Sequence, residues 1–286
     1  MKFLNFLHED QSPHLGAIKD GQLVDLSELG FPTSLDGLLN AGDSLMNVLK
    51  ADWENMKPTR SLESLRYLPP VLNPSKAIAV GLNYLDHAAE SPYKDAPKYP
   101  VLFHRFSSSW VGHGTDLVAP KVSPEFDYEG EIAVVIGKAG RHISKEQALD
   151  HVFGYSLFND GSIRDYQFKS HQWMIGKNFD ASGSFGPYVV TADELPAGAS
   201  NLTLRTRLNG QELQKANTND MIFDVVTLIC TCSEIFKLLP GDIISSGTPS
   251  GVGFARKPPI FMKPGDHVEV EADGLGVLSN RIVAEV

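Results

Sequence analysis

The sequence predicts a β-dominated α+β protein, with a sandwich- or barrel-like main domain preceded by a small N-terminal α+β domain. Three observations carry this. From Lys76 onward, short segments rich in Val, Ile, Tyr and Phe recur between Gly, Pro, Asn and Asp, the pattern of strands joined by turns. Helical spacing of apolar residues is confined to a few short stretches. The 286 residues suit one large domain with a small one attached, and 42% hydrophobic with 21% charged is an ordinary globular composition.

The elements follow in order. LGAIKDGQLVDLS reads as two strands around a Lys19-Asp20-Gly21 turn. Leu35–Trp53 has helical spacing of Leu, Met and Val, with a break at Gly42. The proline-rich LPPVLNPSK marks a boundary, which assigns residues 1–72 to the small domain and 73–286 to the main one. Beyond it, KAIAVGL, GEIAVVIG, HVFGYSLF, GPYVVTA, LTLRTRLNGQEL and DHVEVEADGLGVLSNRIV read as strands, and Tyr84–Glu90, Lys145–Asp150 and Ile222–Phe236 as helices. No repeat of fixed period is present.

Charge and composition narrow the function. A net charge of −10 and a pI of about 5.3 repel nucleic acid phosphates. Cys230 and Cys232 have no further cysteines to complete a zinc set, so they read as core thiols and fit a reducing cytoplasm. No secretory leader and no apolar run of membrane-spanning length is expected.

One strand is unusual. FDYEGEIAVVIG carries Asp127, Glu129 and Glu131, an acid at every second position. Glu129 and Glu131 share a face that continues with Ala133 and Val135, so the strand runs into the interior. Two carboxylates that close raise one another's pKa unless a cation holds them, and Mg²⁺, Mn²⁺ or Ca²⁺ would do so; a frayed end with both acids in water is the ordinary alternative. HVFGYSLFNDGSIRDYQ supplies a third acid, Asp160, where a strand gives way to a helical turn. An Asx turn would account for it equally, and a following helix would bring Arg164 near it.

Two more features bear chemistry. His87 and Glu90 lie three apart on one face of a short helix for which Asn83 is the candidate cap; a carboxylate beside imidazole suits it to activate water. SGTPSGVG lacks the Gly-Lys-Ser/Thr of a phosphate loop, but its backbone N–H groups, such as that of Gly247, and the Thr248 hydroxyl could bind a carboxylate or oxyanion. His104, His113, His142, His151, His171 and His267 lack paired spacing and read as structural or surface residues.

GLNYLDHAAE, DYEGEIAVVIG, FGYSLFNDGSIRDYQ, QWMIGKNFD and SGTPSGVG follow one another in this order. Together they closely resemble the fumarylacetoacetate hydrolase family, in particular its acylpyruvate hydrolase branch, from about Lys76 to the C-terminus. The resemblance implies a mixed β-sandwich roll, assembled as a homodimer, with Mg²⁺ or Mn²⁺ held by Glu129, Glu131 and Asp160. It implies a lid helix whose His87–Glu90 pair activates water, followed by a flexible loop, SPYKDAPKYP. It places Lys177 at the site with Thr248, and lines the substrate pocket with Arg164 and Gln167. Arg105 stands where the family often has lysine, and Asp127 falls outside the ligand pair.

The expected reaction is hydrolysis of a carbon–carbon bond in a 2,4-dioxo acid such as maleylpyruvate or fumarylpyruvate, as in aromatic-acid catabolism, releasing pyruvate. Arg164, Arg105, Arg256 and Lys257 are the candidates to hold the second carboxylate. A 2,4-diketo-3-deoxy sugar acid hydrolase, an oxaloacetate decarboxylase and a dienedioate isomerase are alternatives on the same enolate chemistry. A ligand-binding β-sandwich without turnover is the alternative from another class.

Overall fold

The computed structural model describes residues 1–90 and 96–286. Residues 91–95, the first half of the SPYKDAPKYP loop expected to close over the site, lie outside the described residues.

The chain opens with three antiparallel strands, β1 (Lys2–Leu7), β2 (Pro13–Lys19) and β3 (Gln22–Asp25), with Asp20 and Gly21 forming the turn at positive φ. Helices α1 (Leu35–Asn40) and α2 (Asp43–Asp52) follow, separated at Gly42, whose φ of 83° breaks the helical path. Ser34 caps α1 by accepting from Gly37 N at 3.1 Å.

The main strands are β4 (Ala77–Gly81), β5 (Val101–His104), β6 (Gly130–Ile136), β7 (Val152–Asn159), β8 (Gly183–Thr191), β9 (Thr203–Leu208), β10 (Gln211–Asn217), β11 (Ile243–Ser245), β12 (His267–Ala272) and β13 (Gly276–Ala284). Among them lie the helices α3 (Leu85–Glu90), α4 (Arg164–Gln167), α5 (Met174–Lys177) and α6 (Val225–Ile235). The stretch expected as a helix at Lys145–Asp150 is instead a 3₁₀ turn at Ala148–His151.

The main strands form two mixed sheets, a β-dominated sandwich roll, and Phe126–Asp127 pairs with Ser162–Ile163 as a separate two-stranded sheet. The larger runs β3-β2-β1-β8-β7-β6-β11-β4-β5, with β11 parallel to β4 and the other named neighbours antiparallel. The smaller runs β10-β9-β12-β13 and is extended by Leu117–Ala119, parallel to β13. Strand β1 pairs with β8, so the boundary drawn at residue 72 falls within one continuous sheet.

Strand β6 is buried along its whole length, and its alternation sorts side chains between two cores. Ile132, Val134 and Ile136 pack with Leu204 and Val270 of the smaller sheet and with Leu228 and Ile229 of α6. Ala133 and Val135 face Phe3, Leu15, Leu35 and Leu38 of the N-terminal segment. Strand β6 therefore sits in the middle of the molecule, covered on both faces, which makes its end a rigid platform.

Helix α6 starts at Asp224, whose side chain accepts from Thr227 N at 2.8 Å. Cys232 lies on its buried face, where burial pushes the thiol up to about 12, and both cysteines are unpaired.

Candidate metal centre and active site

Glu129 directly precedes β6, and the pairing with β7 runs past the strand end. Asp160 N donates to Glu129 O at 2.8 Å, and Glu129 N to Asn159 Oδ1 at 3.0 Å. Asp160, the residue after β7, is thereby set beside Glu129, while Glu131 shares the Glu129 face of the strand. One oxygen from each of Glu129, Glu131 and Asp160 lies within 4.8 Å of the other two, and all three residues are buried.

Three bases surround these acids. Lys177, at the end of α5, places Nζ 2.7 Å from Glu129 Oε2 and 2.6 Å from Asp160 Oδ2. Arg164, at the start of α4, reaches Glu129 Oε1 at 2.7 Å and Asp127 Oδ2 at 2.8 Å. Arg105 pairs with Asp160 and donates to Ser109 Oγ at 3.0 Å. Asp127, Glu129, Glu131 and Asp160 thus outnumber the three cations by one.

The imbalance falls on Glu131. Burial, Asp160 and Glu129 push its carboxyl well above the usual carboxylate range. Burial acts on Glu129 in the same sense, but Lys177, Arg164 and His87 overcome it and hold that carboxyl far below its usual value. An all-oxygen donor set with more negative charge than its own cations neutralise fits a hard divalent ion.

Glu131 is held by a distant segment: Ser245 Oγ donates to its Oε2 at 2.5 Å, and Gly247 N at 3.0 Å. Gly247 has φ of 98°, and a Cβ there would lie 2.6 Å from Asn83 Cβ, so only glycine fits. Its N–H, expected to meet substrate, is engaged by the carboxylate. The Thr248 hydroxyl lines the cavity, but donates to Gly130 O at 3.0 Å and accepts from Gln214 Nε2 at 2.9 Å. As placed, it has no proton left for an oxyanion.

Asp127 proves to be Arg164's partner and an anchor for the glycine-rich loop, accepting from Gly253 N at 2.8 Å and Phe254 N at 3.0 Å. Arg164 also donates to Gln167 Oε1 at 2.8 Å, with Phe254 stacked 4.6 Å from its guanidinium carbon. Asp160, four residues before Arg164, pairs instead with Arg105 and Lys177, because the chain turns through the two-residue strand Ser162–Ile163 before α4 begins.

His87 projects from α3 into the site, is 6% exposed, and lies 3.6 Å from Glu90 through Nδ1. Asn83 does not cap this helix; it donates to Phe223 O at 2.9 Å and Ser246 O at 2.7 Å, and accepts from Phe223 N. Glu90 accepts from Gly251 N.

A cavity of about 30 Å³ opens onto Glu129 and Glu131. His87, Glu129, Glu131, Arg164, Gln167 and Lys177 line its polar side, and Phe103, Phe168, Trp173 and Phe254 its apolar side. Asp160 and its partner Arg105 both lie outside this lining. Arg256 is turned to Leu213 O and Gly251 O, and Lys257 is exposed, so neither reaches the cavity.

Ser245, Gln214 and Ser109 escaped the sequence reading, since a lone Ser or Gln in a strand carries no pattern. Asp127 did carry one, the two-residue period it shares with Glu129. His8, His14 and Asp25 also bring ligand atoms close together, but the Arg60 guanidinium lies 2.8 Å from His8 Nε2, where a metal ion would meet a fixed cation.

A buried oxygen-ligand centre at the end of a central strand, beside a small cavity with a histidine and a lysine, defines a metal-site enzyme class built on a β-sandwich roll. The chain belongs to the fumarylacetoacetate hydrolase family: residues 76–283 match the family model described as fumarylacetoacetate (FAA) hydrolase C-terminal. It is 40% identical over 290 aligned positions to oxaloacetate tautomerase fahd2, mitochondrial, of Xenopus laevis, covering 99% of this chain and 90% of that one. Among solved structures it matches the fumarylacetoacetate hydrolase of psychrophilic Exiguobacterium antarcticum (TM-score 0.86, 35% identity, 100% of both chains). It also matches maleylpyruvate hydrolase from Sphingobium sp. SYK-6 in complex with manganese(II) and pyruvate (TM-score 0.83, 27% identity, 100% of both chains). The manganese in that relative and the carboxylate cluster here both point to a divalent-metal site. Among the described residues, no helix is long and apolar enough to cross a membrane.

Proposed function

We propose that this chain is a Mg²⁺- or Mn²⁺-dependent enzyme that interconverts the enol and keto forms of oxaloacetate or a close 2-oxo diacid. The observation that carries the reading is the buried Glu129–Glu131–Asp160 cluster, of which Glu129 and Glu131 line a small cavity beside His87 and Lys177. The name of the Xenopus relative, similar over nearly the whole chain, supports the same choice.

Glu129, Glu131 and Asp160 would hold the ion. Bound there, a divalent cation supplies a Lewis acid for the carboxylate and adjacent oxygen of a 2-oxo acid and stabilises negative charge on the enolate. With Glu129 and Asp160 satisfied, Lys177 and Arg164 become the cations open to the second carboxylate, with Gln167 fixing the Arg164 fork. Tautomerisation to the keto form removes the proton from the enol hydroxyl and adds one at C3. His87, buried on the cavity wall with no hydrogen-bond partner at Nδ1 among the described residues, is the group we assign to that C3 proton.

Hydrolysis of an acylpyruvate is the second reading. The approach of Glu90 to His87 favours it, because a carboxylate near imidazole suits water activation, and a maleylpyruvate hydrolase is among the similar structures. We place either activity in a cytoplasmic homodimer.

The test follows decay of enol-oxaloacetate, and pyruvate release from a panel of acylpyruvates, with Mn²⁺ or with chelator. Metal-dependent enol decay lost in Glu129→Ala is expected. Pyruvate release without enol decay would select hydrolysis, and neither activity would overturn both readings.

A further inference from the structure

Trp173 separates two cavities. On one side is the cavity of about 30 Å³ over Glu129 and Glu131. On the other is a groove of about 380 Å³ whose lining includes Pro97, Val101 and Leu102. Leu82, Phe103 and Trp173 belong to both walls. The partition is fitted closely. The Trp173 ring rests on Gly81 at the end of β4, where a Cβ would lie 2.2 Å from ring carbon Cζ3. Phe103 meets it edge-on, with centroids 5.8 Å apart and planes at 77°. Phe103 in turn lies 5.3 Å under the Lys177 ammonium, so the partition stands directly beside the charged groups.

We infer that Trp173 is the specificity-determining residue for chain length. Its indole closes the far end of the site, restricting it to short 2-oxo acids, and the groove behind it is a latent subsite for an unbranched apolar tail. The groove shares Leu82, Phe103 and Trp173 with the site and, apart from His171 and Gln172, is lined by apolar groups, which suits methylene carbons. Gly81 takes part as the one residue at its position that leaves space for the ring. The inference rests on the reading that the site binds 2-oxo acids, and it adds what limits their length.

The experiment measures affinities of pyruvate and 2-oxooctanoate for the Mn²⁺-loaded protein by calorimetry, in wild type, Trp173→Ala and Trp173→Leu. Each methylene buried in the opened groove is worth roughly a fourfold gain. The ratio of 2-oxooctanoate to pyruvate affinity should therefore rise at least about tenfold in Trp173→Ala, and by less in Trp173→Leu, which leaves part of the wall standing. A merely structural role would weaken both ligands together and leave the ratio unchanged, and that result overturns the inference. If Trp173→Ala does not fold, Trp173→Leu alone decides: a raised ratio supports the partition and an unchanged ratio removes it. Binding of neither acid by wild type would instead overturn the proposed function, and the length rule with it.

Discussion

Both carboxylate oxygens of Glu90 lie 3.0 Å from the backbone nitrogen of Gly251. The same carboxylate comes no closer than 3.6 Å to His87 Nδ1. Its firmest bond therefore ties α3 to the glycine-rich loop, and only secondarily supports the imidazole.

Glu90→Gln keeps an oxygen to accept from Gly251, whereas Glu90→Ala releases the loop. A hydrogen bond to a charged group is worth about 1.5–3 kcal/mol. Glu90→Ala should therefore lower kcat/KM by roughly 10- to 100-fold, and Glu90→Gln by less than about tenfold. Equal losses in the two variants would mean that charge on His87, not the tie to Gly251, is what Glu90 supplies.

Glu131→Gln should remove a metal ligand while leaving an oxygen to accept from Ser245 and Gly247. Mn²⁺ affinity measured by calorimetry should fall by about 100-fold or more, with a circular dichroism spectrum matching wild type. Unchanged affinity would take Glu131 out of the ligand set.

Lys177→Met removes the ammonium shared by Glu129 and Asp160. Leaving buried carboxylates uncompensated costs about 3–5 kcal/mol, so the metal-free protein should melt markedly lower. The ammonium also competes with an added cation for the same oxygens. The rise in Tm on adding Mn²⁺ should accordingly be larger in Lys177→Met than in wild type. A smaller rise would show that Lys177 assists the ion rather than standing in for it.

The raised Glu131 carboxyl sets a pH dependence. Below the usual carboxylate value both folded and unfolded chains hold this proton, and it makes no difference to stability. Above that value the unfolded chain loses the proton while the folded one keeps it, so metal-free stability falls with rising pH until the folded value is passed. Glu129, held low, has the opposite sign in a lower window: its contribution is lost as pH falls below the usual carboxylate value. Mn²⁺ affinity should rise with pH through the Glu131 window, because the proton must leave for the ion to bind. Melting curves in chelator, with metal titrations over the same buffers, check both trends. Glu131→Gln should flatten the upper window, and persistence of the slope in that variant would assign it to another group.

Local spacing made much of this visible. The Lys19-Asp20-Gly21 turn, the break at Gly42 and the shared face of Glu129 and Glu131 all follow from contacts within a few residues. Pairing across the chain was hidden. Strand β1 joins β8 in the large sheet, although a proline-rich stretch intervenes and composition shifts there. Asn83 has the right residue type for a cap, but partners 140 and 163 residues away hold it more firmly. Thr248 reads as an oxyanion donor until Gly130 and Gln214 are seen to engage its hydroxyl.

The distance in sequence between Glu131 and its supports bears on how the protein is made. Ser245 and Gly247 follow Glu131 by 114 and 116 residues, and Gln214 follows Gly130 by 84. Strand β11, which delivers Ser245, is inserted in the sheet between β6 and β4, both synthesised long before it. A nascent chain emerging from the ribosome can pair β6 with β7 and gather all three acids while nothing yet orients Glu131. Such long-range closure is slow. The half-built sheet meanwhile carries open strand edges, since β11 has not yet filled the place between β6 and β4. The centre is therefore completed only when Ser245 and Gly247 arrive to hold Glu131, well after the three acids have been brought together.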